Sequence, residues 1–170
     1  MTHAPAAPWI EDPDIVRRAR DLFDRYDLGS ARSPEAMMDR VIAIGGKPIS
    51  VQKIDDPAIT HTTALWVEYE DRSKIILRAN DRPYYQVRGL HHEFAHILFQ
   101  HPACTGFAAE PSLTRYTEGG VVRGRVLISD DDVSSAHGDR QQEGEAEYLG
   151  ALITRTLLRP IYFDDERIFG

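Results

Sequence analysis

His92-Glu93-Phe94-Ala95-His96 places two imidazoles four residues apart, with a carboxylate beside the first. On a helix, positions i and i+4 lie on one face, one turn apart, so His92 and His96 can close on a single metal ion. Glu93 sits about 100° from His92 around the axis, where it reaches a water at the metal rather than the metal itself. Neutral imidazole nitrogens bind zinc at about 2.0–2.1 Å, and a catalytic zinc site keeps one position open beside three protein ligands. The pattern thus supplies two ligands and a general base. The third ligand must come from elsewhere in the chain. A bare five-residue match arises by chance often enough that its surroundings have to support it.

Those surroundings read as a helix over Tyr85–Gln100. Leu90, Phe94, Ile97 and Leu98 recur at helical spacing and predict a buried face. Pro83 and Pro102 bound the run on either side. A metzincin continuation is excluded, because Phe99 stands where its glycine belongs and Pro102 where its last histidine belongs. His101 is nine residues beyond His92, about 180° around a continued helix, and is expected to face away from the site.

A second helix, expected over Arg140–Leu158 and ended by Pro160, carries the remaining candidates. Glu143, Glu147, Gly150 and Thr154 share one of its faces, and Leu149, Ile153 and Leu157 lie along an apolar one. Gly150 admits the close approach of another backbone. A carboxylate from a second helix completes a His₂Glu zinc site. Glu143 and Glu147 are one turn apart, so one can bind the metal while the other accepts the free ring N–H of a ligand histidine. Glu145 is about 200° from Glu143 and reads as part of a solvated, acidic helix N-terminus, which the macrodipole favours.

Together the two helices resemble the ImmA/IrrE family of zinc metallopeptidases. Members of that family read H-E-x-x-H-x-x-x-x-H, then a helix of the form E-x-E-A-[DN]-x-[FL]-A-x-x-L-L-x-P. This chain has His92-Glu93-Phe94-Ala95-His96-Ile97-Leu98-Phe99-Gln100-His101, then Glu143-Gly144-Glu145-Ala146-Glu147-Tyr148-Leu149-Gly150-Ala151-Leu152. The resemblance implies an α+β, zincin-like metallopeptidase domain in which a small β-sheet packs against the H-E-x-x-H helix and a second, Glu-bearing helix. It implies Zn²⁺, one ion per chain, held by His92, His96 and Glu143, with Glu93 as the catalytic base. Glu147 stands where the family has Asp or Asn and would orient a ligand histidine. His101 falls at a position the family often fills with His. The implied substrate is a protein, a helix-turn-helix transcriptional repressor whose cleavage relieves control of stress or mobile-element genes. Three departures leave the ligands untouched: Gly150 replaces the usual Ala, the terminal L-L-x-P is displaced to Leu157-Leu158-Arg159-Pro160, and the gap between the helices is longer. Mn²⁺ and Fe²⁺ accept the same donor set. The alternative reading is a metal-stabilised, non-catalytic protein that sequesters a regulator, as one half of a toxin–antitoxin-like pair. The intact Glu93 favours hydrolysis, since binding alone needs no base.

Stepping outward from the site, 170 residues suit a single domain with a sizeable core. A net charge of −7 and a pI near 5.5 argue against direct nucleic-acid binding. The N-terminus lacks the basic and apolar regions of a signal peptide, and no run of about 18 apolar residues predicts a membrane span. A single cysteine, Cys104, excludes an internal disulfide framework. These features predict a cytoplasmic protein.

Residues 1–11 read as a tail. Asp12-Pro13 opens a helix with Ile15, Val16, Ala19, Leu22, Phe23 and Tyr26 on one face, ended by Gly29. Ser33-Pro34-Glu35 caps another, which Gly45-Gly46 stops. Strands are expected over 48–54, 64–69 and 74–78, the last two joined by a hairpin turn at Glu70–Ser73. Residues 102–139 form a long loop or hairpin between the metal-binding helices, with Gly119-Gly120 turning between 114–117 and 121–128. Asp130-Asp131-Asp132 lacks calcium-loop spacing. Tyr116 and His137 are candidate oxyanion donors, weighed against ordinary surface roles.

Overall fold

The computed structural model describes residues 12–59, 62–102, 111–127 and 137–158. The expected tail at 1–11, Cys104, Asp130–Asp132 and the side chain of His137 lie outside them. Among the described residues no helix is long and apolar enough to cross a membrane.

The fold is α+β. Helix α1 (Pro13–Arg25) starts at Asp12, whose carboxylate accepts the Asp14 N–H, with proline at the first turn where no N–H is needed. Helix α2 (Pro34–Gly45) repeats the device, with Ser33 Oγ accepting from Ala36 N. Gly46, at φ 77°, closes it in the left-handed region that glycine enters without penalty. Strands β1 (Ile49–Ile54), β2 (Thr62–Glu68) and β3 (Ser73–Arg78) follow, then helix α3 (Pro83–Phe99). Pro83 is itself in the first turn of α3, so the helix begins two residues earlier than the sequence suggests.

The segment after α3 differs from expectation. Thr114–Thr117 is a single helical turn, α4, not a strand. Val121–Leu127 is a strand, β4, but it pairs antiparallel with β2 rather than folding back on 114–117. The open edge of β2 offers a row of unpaired backbone groups that β4 satisfies, which a local two-stranded hairpin would leave bare. Gly119, at φ 76°, ends the α4 turn, and Tyr69 Oη donates to Thr117 O at 2.8 Å. Helix α5 (His137–Leu158) completes the chain's described part.

The sheet order is β1-β3-β2-β4, with β1 parallel to β3 and the β2 pairings antiparallel. Alternation along β2 and β3 sends Ala64, Trp66, Ile75 and Leu77 into one core and Leu65, Val67 and Ile76 into another. The first core is shared with Phe94 and Leu98 of α3, Leu149 and Ile153 of α5, and Ala19 and Leu22 of α1. Helix α3 is thereby held between the sheet and α5, and α1 covers α5.

Candidate metal centre

Helix α3 carries His92 and His96 one turn apart, both buried, with their Nε2 atoms 3.1 Å apart. Helix α5 crosses against them at Gly150. A Cβ at that position would lie 3.0 Å from His92 N and 3.1 Å from its Cα, so the missing side chain allows the two backbones to touch. This contact brings Glu143, two turns earlier, over the histidines. Its Oε2 is 3.1 Å from His92 Nε2 and its Oε1 is 3.3 Å from His96 Nε2. His92, His96 and Glu143 are the group of described residues able to hold a metal ion. Glu147 instead faces the other side of the first imidazole, with Oε2 3.3 Å from His92 Nδ1, and is itself paired with Arg88. Glu143 sits at the centre and Glu147 behind it.

The ring protons follow from their partners. His92 faces a carboxylate on each side, Glu147 at Nδ1 and Glu143 at Nε2; in the tautomer that gives the Nδ1 proton to Glu147, Nε2 keeps its lone pair. His96 reaches the same state by a longer route. His101 Nε2–H donates to Glu145 Oε2 at 2.9 Å, and His96 Nδ1–H then donates to His101 Nδ1 at 2.8 Å. In these tautomers two imidazole lone pairs and a carboxylate converge. That arrangement is repulsive as it stands and becomes attractive around a divalent cation, so the residues fit a metal.

The electrostatics agree. Burial pushes His96 down to about 4, leaving it neutral and able to ligate. Burial pushes the Glu143 carboxyl up, but ring N–H groups that His92 and His96 can turn toward it when no metal is bound outweigh that and hold it well below the ordinary carboxylate range. Glu93 is 0 % exposed, and neither carboxylate oxygen has a hydrogen-bond partner among the described residues. Burial, and then the charge of Glu143, push Glu93 well above its ordinary range. A buried carboxyl without a partner is costly unless a ligand or ion answers it.

Two expectations are corrected here. His101 does not face away. The helix ends at Phe99, Gln100 turns into the left-handed region at φ 56°, and the chain doubles back so that His101 lies against His96. Glu145 is not solvated. It is 2 % exposed, and besides His101 it pairs with Arg18, whose Nε lies 2.7 Å from Oε1, and accepts from Gln141 Nε2 at 3.0 Å. Position 145 points away from Glu143 around α5, but that direction holds α1 and His101 rather than water. Tyr116 lies in the second core with its hydroxyl donating to Asp56 Oδ2 at 2.8 Å, and is not at the centre.

A cleft of about 610 Å³ opens on His92 and Glu147, walled by Arg82, Tyr84, Tyr85 and Arg88. Comparison of the chain with protein-family models, with curated proteins and with solved structures gives no match. The ImmA/IrrE resemblance rests on the two motif helices.

Proposed function

We propose that this chain is a zincin-like, zinc-dependent endopeptidase acting on a protein substrate. The observation that carries this reading is the convergence of His92 Nε2, His96 Nε2 and the Glu143 carboxylate beside the buried Glu93, which has no hydrogen-bond partner among the described residues. His92, His96 and Glu143 would hold the ion, and two imidazoles with one carboxylate suit zinc, with Mn²⁺ and Fe²⁺ able to accept the same set. A divalent ion held there would supply Lewis acidity, enough to bring the pKa of water from 15.7 toward about 7, and would lower the proton affinity of nearby carboxyls. Glu93 takes the proton from the attacking water and later delivers it to the leaving amine. Glu147, braced by Arg88, holds the His92 ring in the tautomer that ligates. The cleft at His92 admits the substrate, and β4, at the end of the sheet order, offers an edge on which an extended segment can add as a strand.

The substrate class follows from the resemblance: a helix-turn-helix transcriptional repressor, cleaved in the cytoplasm. The test is to load wild type and Glu93→Gln with zinc, incubate each with a helix-turn-helix regulator encoded beside the gene, and map new peptide termini by mass spectrometry. Wild type is expected to cut at a defined position. The variant is expected to keep its zinc and lose about 10²–10⁴-fold in rate. Equal cutting by both would contradict the assignment of Glu93.

One observation favours a second reading, in which the chain sequesters the regulator without cutting it. Glu93 has no exposed atom, and its burial favours the protonated form, which cannot act as a base. Under that reading Glu93→Gln retains full biological activity while cutting by wild type is absent.

A further inference from the structure

Behind the centre, a chain of polar contacts runs from the buried His96, His101 and Glu145 out to the half-exposed Arg18. Its links are 2.8 Å, 2.9 Å and 2.7 Å long. It joins three elements: α3 and the turn after it, α5, and α1. Each link has a direction. Arg18 forms an ion pair with Glu145 Oε1 and Gln141 donates to the same oxygen, which leaves Oε2 to accept from His101 Nε2–H. A neutral imidazole with its proton on Nε2 has only a lone pair on Nδ1. His96 must therefore supply the proton in the Nδ1–Nδ1 contact, and its Nε2 is left bare. The reverse order would put a proton on His96 Nε2, facing His92 Nε2 and Glu143. His101 is fixed in its plane by Phe99, whose ring stacks on it at 5.1 Å and an interplanar angle of 1°.

We propose that His101 and Glu145 are positioning residues for the metal centre, and that Arg18 links the seating of α1 to metal affinity. This rests on the reading of His92, His96 and Glu143 as ligands. Glu147 does for His92 in one step what Glu145 does for His96 in two, so each ligand histidine has its tautomer set by a carboxylate of α5. A carboxylate behind a ligand histidine raises the basicity of the ring and fixes its orientation. The arrangement also makes α1, which contributes no ligand, part of what holds the ion.

The test is zinc affinity by chelator competition, with the visible spectrum of the Co²⁺-substituted protein as a second readout. The proteins are wild type, His101→Leu, His101→Gln and Arg18→Ala, with folding of each checked by circular dichroism. His101→Leu removes the acceptor for His96 Nδ1–H and is expected to lose about 10–100-fold in zinc affinity, with a changed Co²⁺ spectrum. His101→Gln keeps an acceptor and is expected to retain most of the affinity. Arg18 is half-exposed, so Arg18→Ala leaves the core intact, and a loss of about fivefold is expected. A folded His101→Leu with wild-type affinity and spectrum would overturn the relay while leaving the metal site standing. If the leucine variant does not fold, unchanged affinity in Arg18→Ala overturns the relay, and a loss there supports it. Wild type that binds no zinc overturns the metal site and the relay together.

Discussion

Gly150 of α5 lies against the backbone of His92, close enough that a methyl group there would come within 3.0 Å of His92 N and 3.2 Å of His91 C. Backbone does not rotate away as a side chain does, so this contact sets the spacing of the two ligand-bearing helices. Gly150→Ala gains about 1 kcal/mol of helix propensity and gives back a similar amount in crowding, so little net change in the urea midpoint is expected. Gly150→Val adds a branched side chain to the same gap. It is expected to cost about 3 kcal/mol and to weaken zinc binding by moving Glu143 off the histidines. Unchanged stability and affinity in Gly150→Val would show that the helices separate freely.

Glu143 and Glu147 should separate in a metal-binding assay. Glu143 contacts both ligand nitrogens, whereas Glu147 contacts only His92 Nδ1. Glu143→Ala is expected to abolish tight zinc binding. Glu147→Ala is expected to weaken it by about 10–100-fold without abolishing it. The opposite ranking would exchange the two roles.

Thr154→Val provides a control for stability without metal. Thr154 Oγ1–H donates to Gly150 O at 2.9 Å, so the same oxygen accepts from His91 Nδ1–H at 2.8 Å. Valine fills the space but leaves the buried His91 N–H without a partner, at a cost of about 1–3 kcal/mol. Chemical denaturation should show that loss, while zinc affinity stays near that of wild type. A parallel fall in affinity would mean that His91 also positions the centre.

Metal-free protein should be less stable in mild acid. Burial lowers His91 and His96 to about 4, and burial lowers His101 too. Burial, then Glu143, raise Glu93. Between the ordinary carboxyl and imidazole values of 4.5 and 6.5, the unfolded chain takes up protons on three histidines that the folded chain refuses. The folded chain holds one on Glu93 that the unfolded chain releases. The unfolded state therefore binds more protons, so stability rises with pH across this window. Below it Glu143, lowered by His92 and His96 against its burial, acts in the same sense. The urea midpoint of the metal-free protein is expected to be higher at about pH 7 than at about pH 5. An unchanged midpoint would contradict the burial of these imidazoles.

The meeting of His92, His96 and Glu143 is legible in the sequence because they lie on two helices, where a period of 3.6 residues decides which side chains share a face. His92 with His96, Glu143 with Glu147 and Gly150 with Thr154 all fall where that period puts them. The same projection misplaces His101, because it carries the helix two residues too far. A signal against that was present: the residue before Pro102 is disfavoured in a helix. Glu145 is misjudged for another reason. Angular position says which way a side chain points, but not that α1 and His101 wait there. The pairing of β4 with β2 is likewise invisible locally, since strand partners are chosen by tertiary packing and not by the strand's own residues.

The most direct measurement is zinc per chain by elemental mass spectrometry, on wild type and Glu143→Ala side by side, after zinc loading and removal of excess. About one zinc in wild type and little in the variant is the expected result, as a His₂Glu site requires. No zinc in wild type would contradict the account, leaving His92, His96 and Glu143 as a polar seam between two packed helices.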